Sequence, residues 1–274
     1  MNYRHAYHAG NFADLLKHAA LIGLLDHFVR RPGPLMVIDT HAGAGSYDLT
    51  DSMALKTGEA AQGIGRLAQS QELPRLLAQL TQTVAEFNSG QAKRLYPGSP
   101  AIAVARLRSG DRLLACELRE DEQASLRRTV LGFPGAKVMQ ADGYETAASA
   151  MVSSDLLVLI DPPFEASDDY ERCAQVSKDI LSAHPKACVA IWMPLKDLET
   201  LDGFLRRIEP CAPAGSLVVE LRMRPLTRPM TMNGCALVIL GAPEGFDGEI
   251  VPVCTWIATH LGDSGAQGRV YPLG

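Results

Sequence analysis

The chain has 274 residues, a formal net charge of −5 and the composition of an ordinary globular protein, which excludes collagen, coiled-coil and disordered classes. That length buries a sizeable core as one large domain or as one domain carrying an insertion. No run approaches the ~18 uninterrupted apolar residues of a membrane span, and there is no global basic signal for nucleic acid, although local patches weigh more than totals. The first ten residues, MNYRHAYHAG, lack an apolar core, so no signal peptide is expected. None of the cysteines forms a CxxC pair. Cys116, Cys188 and Cys235 lie in apolar runs as small buried hydrophobes, which fits reduced thiols in a cytoplasmic protein.

In chain order, residues 11–30 read as a helix capped by Asn11, with Leu15, Ala19, Ile22 and Leu25 at helical spacing. "LMVIDTHAGAG" is a strand running into a tight turn. Residues 73–88 form an amphipathic helix, with Leu73, Leu76, Leu77, Leu80, Val84 and Phe87 on one stripe. "GSPAIAVARLR" starts another helix, with Ser99 as N-cap and Pro100 at its first position. Strands and helices then alternate: "RLLACE" before a helix over 119–131, "AKVMQAD" before a short helix over 144–151, "DLLVLIDPPF" before a helix over 169–183, and "ACVAIWMP" before a helix over 195–208. Two late strands, "SLVVELRMR" and "CALVILG", follow each other directly and are expected to be antiparallel. The last 30 residues hold one short helix around Trp256 and a Gly-rich tail.

This alternation predicts an α/β fold with a mostly parallel seven-stranded sheet and helices on both faces. The segment 47–97 is too long for a simple crossover. It is read as an inserted small helical subdomain, leaving 1–46 and 98–274 as the Rossmann-like domain.

Ligands of open parallel sheets bind at the carboxyl ends of the strands. Those ends carry Gly43 and Gly45 in "DTHAGAG", Glu117, Asp142 with Gly143, and the stretch Asp161-Pro162-Pro163-Phe164. The two glycines let backbone approach a ligand, but the third glycine of a dinucleotide fingerprint is missing, which disfavours a nicotinamide dehydrogenase. An acid at the end of the next strand can accept both hydroxyls of a ribose, and Asp142 can accept from an adenine amino group. Singly, each residue is an ordinary turn or solvated strand end; in strand order they make a nucleoside-shaped site. In the fourth stretch the prolines hold the Asp161 carboxylate beside the Pro162 carbonyl. Two such acceptors suit an exocyclic NH2, exposing its lone pair for in-line attack on a methyl group, while Phe164 offers a face on which an extruded base stacks. His5, His8 and His18 match no standard zinc spacing, so no metal is expected. Arg4, Lys17, Arg30 and Arg31, and later Arg222, Arg224 and Arg228, make two locally basic segments. A few phosphate contacts from such patches suffice to position an RNA.

"IDPPFE" is similar to the acid-Pro-Pro-aromatic motif of amino-methyltransferases that use S-adenosylmethionine. With "NYRHAYHAGNFADLLKHAAL", "IDTHAGAGSYDL", "TGEAAQGI" and "YPGSPAIA" in the same order and spacing, the chain resembles the RlmJ-type 23S rRNA adenine-N6 methyltransferases. The likeness covers most of the chain and is weakest over its last 60 residues. It implies a class I methyltransferase fold, S-adenosylmethionine as cofactor, 23S rRNA as partner, no obligate protein partner, and direct methyl transfer without metal to N6 of an extruded adenine. Residue by residue, it implies that Asp161 is the catalytic acceptor, with Pro162 and Phe164. His18, His41, Gly43, Ser99, Glu117, Asp142, Gly143 and Asp161 itself would line the cofactor pocket. Tyr3 would contact the target nucleotide, with His5 and Lys17 near the catalytic pocket. Phe164 stands where the family usually has tyrosine: stacking survives and a hydroxyl is lost. The DPPF spelling also serves guanine-N2 methyltransferases. The same chemistry on rRNA guanine or DNA adenine, and a non-catalytic nucleotide- or RNA-binding module, therefore remain as alternatives.

Overall fold

The structure, a computed structural model, describes residues 4–90, 94–227 and 231–274. After a single 3-10 turn (His5–Tyr7) come α1 (Phe12–Phe28), β1 (Leu35–Asp39) and β2 (Ser46–Asp48). The segment between β2 and its antiparallel partner β3 (Leu95–Pro97) holds α2 (Ser52–Thr57), α3 (Glu59–Gln62), α4 (Ile64–Leu67) and α5 (Arg75–Phe87). Then follow α6 (Ser99–Val104), β4 (Arg112–Cys116), α7 (Glu120–Val130), β5 (Ala136–Met139), α8 (Gly143–Ala148), β6 (Asp155–Ile160), α9 (Asp169–Ala183), β7 (Cys188–Leu195) and α10 (Leu198–Ile208). The chain closes with β8 (Leu217–Arg222), β9 (Gly234–Leu240), α11 (Phe246–Leu261) and β10 (Gln267–Pro272).

The main sheet has the order β10-β8-β9-β7-β6-β1-β4-β5. β5, β4, β1, β6 and β7 are mutually parallel, and β9, β8 and β10 add antiparallel strands beyond β7. β1 lies centrally, with the strands that follow it placed on either side; that reversal opens a crevice at the carboxyl ends of β1, β4 and β6. Alternate residues of the central strands feed two cores. Val37, Leu157 and Leu159 join the core under α1, α5 and α11, while Ile38, Val158 and Ile160 join the one under α8, α9 and α10. This is a Rossmann-like class I methyltransferase architecture with eight strands rather than seven. The extra strand is β10: the tail, read from sequence only as Gly-rich, pairs along the whole of β8. The late helix around Trp256 is also longer than expected, because Ile250, Val253, Cys254 and Ile257 cover the main core.

α1 begins where Asn11 caps it, its side-chain oxygen accepting from Ala13 and Asp14 N–H at 2.9 and 3.0 Å. Instead of one apolar stripe it is buried almost all round, because α5 and α11 cover the face that the sheet does not. A side chain at Gly23 would meet Phe246 at 2.8 Å and Leu76 at 3.0 Å, so glycine permits these three helices to cross. Leu76, Leu77 and Leu80 of α5 thereby belong to the same core as the central sheet. Among the described residues no helix is long and apolar enough to cross a membrane.

Candidate active site

The loop after β1 is fastened to both neighbouring strands. Thr40 N–H donates to the Leu159 carbonyl at 3.0 Å and Ala42 N–H to the Cys116 carbonyl at 2.9 Å. Gly43 takes φ +59, and a side chain there would meet the Tyr47 hydroxyl at 2.2 Å, so the loop turns over Tyr47 only with glycine at that point. Its N–H donates to Glu117 Oε2 at 3.0 Å, while Arg119 N–H donates to Oε1 at 2.8 Å. Glu117 is thus aimed by backbone alone; burial pushes its carboxyl up from the usual range.

At the end of β5, Asp142 caps α8 by accepting from Tyr144 N–H at 2.9 Å, and its other oxygen binds Arg172 at 2.6 Å. The adenine-amine role expected of Asp142 therefore has to share a carboxylate with both oxygens already engaged. A side chain at Gly143 would lie 1.9 Å from the Thr40 carbonyl, so the β1 and β5 loops close on each other only through glycine. His41 stands edge-on to Tyr144, ring centroids 4.8 Å apart, and bonds the Thr40 hydroxyl at 2.8 Å. Burial lowers its imidazole to about 4, so it is neutral near pH 7.

Ser99 does not cap α6 as its sequence position suggested. Gly98 takes the cap position with extended backbone, and the Ser99 hydroxyl donates instead to the buried Asp39 Oδ2 at 2.7 Å. Burial raises the Asp39 carboxyl to about 6.

The other side of the crevice is built from the end of β6 and the N-terminal segment. Asp161 Oδ2 receives Lys17 Nζ at 2.6 Å. Phe164 adopts φ +52, the one left-handed non-glycine among the described residues, at a cost on the order of 1–3 kcal/mol. The strained turn lays its ring against Tyr170 (4.7 Å) and toward Trp192 (6.1 Å). Lys17, counted in the basic N-terminal segment and placed by the resemblance near the catalytic pocket, is buried at 5 % exposure on α1. His18 is buried beside it. Its Nδ1 bonds the Tyr96 hydroxyl at 2.8 Å, and its Nε2 has no hydrogen-bond partner among the described residues. Burial takes its imidazole down to about 3, so the ring is neutral.

His5 and His8 turn to different carboxylates. His5 Nε2 bonds Asp14 at 2.9 Å, and His8 Nδ1 bonds Glu59 at 3.0 Å. Asn11 also donates to Glu59, at 2.9 Å. Residues between β2 and β3 thus hold the N-terminal segment over the crevice. Gly63 completes the contact: a side chain there would strike the Gly10 carbonyl at 2.0 Å.

Most of these groups line one cleft of about 910 Å³. It gathers His5, Lys17, His18 and Ser99 from the N-terminal and α6 sides, His41, Gly43, Glu117, Asp142 and Gly143 from the loops after β1, β4 and β5, and Asp161, Pro162 and Phe164 from β6. Tyr3 and Arg228 lie outside the described residues. Asp14, Glu59, Arg172 and Trp192 also line the cleft although sequence reasoning singled out none of them. Asp14 carried a faint signal, an acid one helical turn before Lys17; the others carried none. Of the basic residues, Arg31 reaches Asp155 at 3.6 Å, Arg224 reaches Asp263 at 3.4 Å, and Arg222 pairs with Glu220.

His18 lines the cleft, and its buried Nε2 lies 3.8 Å from Asp14 Oδ1 with no hydrogen-bond partner among the described residues. Across the cleft Glu117 presents acceptor lone pairs that suit a ribose diol. A charged nucleoside such as S-adenosylmethionine fits that donor and acceptor set.

The family model described as "Ribosomal RNA large subunit methyltransferase D, RlmJ" matches residues 32–271. The chain is 31% identical to ribosomal RNA large subunit methyltransferase J of Escherichia coli, over 97% of this chain and 95% of that one. It is 30% identical to the protein of the same name from Haemophilus influenzae, over 95% and 94%. A crystal structure of a Legionella pneumophila protein superposes with a TM-score of 0.87 at 29% identity, over 97% of this chain and 99% of that one.

Proposed function

The chain belongs to the RlmJ family of ribosomal RNA large subunit methyltransferases, and from that premise we propose that it methylates N6 of one adenine in 23S rRNA, in the cytoplasm, with S-adenosylmethionine as donor. One observation carries the reading: the Asp161 carboxylate and the Phe164 ring line the same cleft as the Gly43–Glu117 pair and His18. A site for an amine and a site for a charged nucleoside therefore share one space.

The cofactor supplies an electrophilic methyl on a sulfonium, which needs no metal. Glu117 takes the ribose hydroxyls, and Gly43 and Gly143 keep the loop backbones close enough to enclose the nucleoside. His18 meets the polar end, and His41 and Asp142 border the adenine side. Ser99 acts through Asp39, holding the end of β1 in place.

On the other side Phe164 stacks the extruded adenine. RNA helices are hard to read through the major groove, so shape plus an extruded base suits this partner. Asp161 and the Pro162 carbonyl accept from the two N6–H groups, which pyramidalises the amine and turns its lone pair to the methyl. Orientation and preset electrostatics supply most of the rate. The N6 proton leaves after the methyl has arrived, to Asp161 or to solvent, because a neutral adenine amine is a very weak acid. Tyr3 touches the target nucleotide, and His5 and Lys17 hold the N-terminal wall. Residues 47–97 act as an inserted subdomain that fixes this wall through Glu59 and Gly63.

The test is transfer of tritium from labelled S-adenosylmethionine to 23S rRNA from cells lacking the modification, with the nucleosides then resolved by chromatography. Label in N6-methyladenosine is expected, falling by about 10²–10⁴-fold in Asp161→Ala. Label in methylguanosine would keep the chemistry and overturn the base. An Asp161→Ala protein of undiminished rate would remove the mechanism.

A further inference from the structure

Asp14 is a carboxylate at 2 % exposure, in the first turn of a helix, beneath the cleft. Its Oδ2 accepts from Gly10 N–H and from His5 Nε2, both at 2.9 Å, and its Oδ1 lies 2.9 Å from Lys17 Nζ. Lys17 spends its second contact on Asp161 Oδ2 at 2.6 Å. A continuous chain therefore runs His5–Asp14–Lys17–Asp161, joining the N-terminal turn, α1 and the end of β6. No described residue bonds the other oxygen of Asp161, and Asp161 lines the cleft.

We propose that Asp14 is a positioning residue for methyl transfer: it keeps Lys17 charged and aimed at one oxygen of Asp161, so that the second oxygen alone meets the target amine. The same carboxylate sets His5 in the cleft wall. The inference rests on reading Asp161 as the acceptor for that amine.

Three physical points favour this over a purely structural role. An acid in the first turn gains from the helix dipole and from the Gly10 amide without needing a lysine partner, yet this one also binds Lys17 and His5. A lysine between two carboxylates has a fixed direction, whereas one facing Asp161 alone could swing between its oxygens or withdraw toward solvent. The electrostatics agree with the geometry. Burial opposes the charge of Asp14, but His5 and Lys17 beside it overcome that and hold the carboxyl well below the usual range. Burial likewise opposes the Lys17 charge, and Asp14 and then Asp161 hold it well above the usual lysine value. The remaining ionisable groups around Asp14 are Tyr47 on β2, Tyr96 on β3, His8 beside the 3-10 turn and Glu59 on α3. Burial pushes both phenols well above the ordinary tyrosine value, so they stay neutral.

The experiment compares wild type, Asp14→Asn, Lys17→Gln, the double variant and Asp161→Asn on unmodified 23S rRNA, from about pH 6 to about pH 10. S-adenosylmethionine affinity is measured by calorimetry. Asp14→Asn should keep cofactor affinity and the KM for RNA while kcat falls ~30–100-fold, the scale of a reacting group held slightly out of place. Without one of its two anions Lys17 loses its proton sooner, so the alkaline limb of kcat should move toward neutral pH. The double variant should be no slower than Lys17→Gln alone. An unchanged kcat and pH profile overturns the proposal. So does a loss of cofactor affinity with an unmoved alkaline limb, which makes Asp14 structural only.

Should Asp14→Asn fail to fold, carbon-13 titration of the Asp14 carboxyl in wild type decides. It should remain ionised to below ~3.9, and protonation above that value overturns the proposal. Undiminished methylation by Asp161→Asn would remove the premise itself. An inactive Asp161→Asn beside an unaffected Asp14→Asn would remove this inference alone.

Discussion

The two walls of the cleft are built on different principles. On the side of β1, β4 and β5, acidic groups are aimed by backbone: Gly43 and Arg119 N–H orient Glu117, and the first amides of α8 orient Asp142. Each of these amide donors lies close in sequence or on an adjacent strand, and only Asp142 also reaches a distant side chain, Arg172 of α9. On the side of β6, Asp161 is aimed by a buried lysine 144 residues away, which is itself held by Asp14. The first wall is a set of local motifs, each of which can change alone. The second is a network of ions out of water, in which removing one member leaves another charge buried and unmatched.

That contrast fixes the order of expected effects. Lys17→Met should be the most damaging, because Asp14 and Asp161 lose their shared cation while Asp14 stays buried. A loss of about 3–5 kcal/mol in a denaturant-unfolding experiment is expected. A loss below about 1 kcal/mol would mean that the second wall is no more coupled than an exposed ion pair. Glu117→Gln should act on the first wall alone. One oxygen remains to accept from backbone, so stability should hold, while affinity for S-adenosylmethionine weakens roughly tenfold with the loss of a charged hydrogen bond. An equal fall in kcat at saturating cofactor would show that the two walls are coupled after all.

The smallest effect concerns the contact of His8 with Glu59. The hydrogen bond to Glu59, working against burial, raises His8 above its ordinary 6.5. A raised value means that the contact stabilises fully below about 6.5 and fades as pH rises through the folded value. Both groups are more than a third exposed, so the effect is a few tenths of a kcal/mol at most. Thermal melts of wild type and Glu59→Gln should therefore draw slightly closer from pH 6 to pH 8. A gap that widens with pH would give the contact the wrong sign.

Much of the first wall was legible in the chain itself. A strand that ends in "DTHAGAG" or "ACE" announces its turn and its acid, because a strand's period and a glycine's freedom are local properties. Asp161-Pro162-Pro163-Phe164 was legible for the same reason, though not the left-handed φ of Phe164, which the packing against Tyr170 and Trp192 supports. Ser99 reads as a helix cap from its neighbours. It gave up that role because Asp39, 60 residues away, offers its hydroxyl a buried partner.

The sequence by itself determined the alternation of strands and helices, the parallel sheet and the carboxyl-end residues, all of which follow from short-range periodicity. Only the tertiary structure decided that the tail becomes β10, that α1 is enclosed almost all round, and that Lys17 is an internal ion held between two carboxylates. An edge strand needs β8 to pair with, a helix's second face needs α5 and α11 to cover it, and a buried lysine needs its two carboxylates. Those partners come from distant parts of the chain, so no local pattern encodes them.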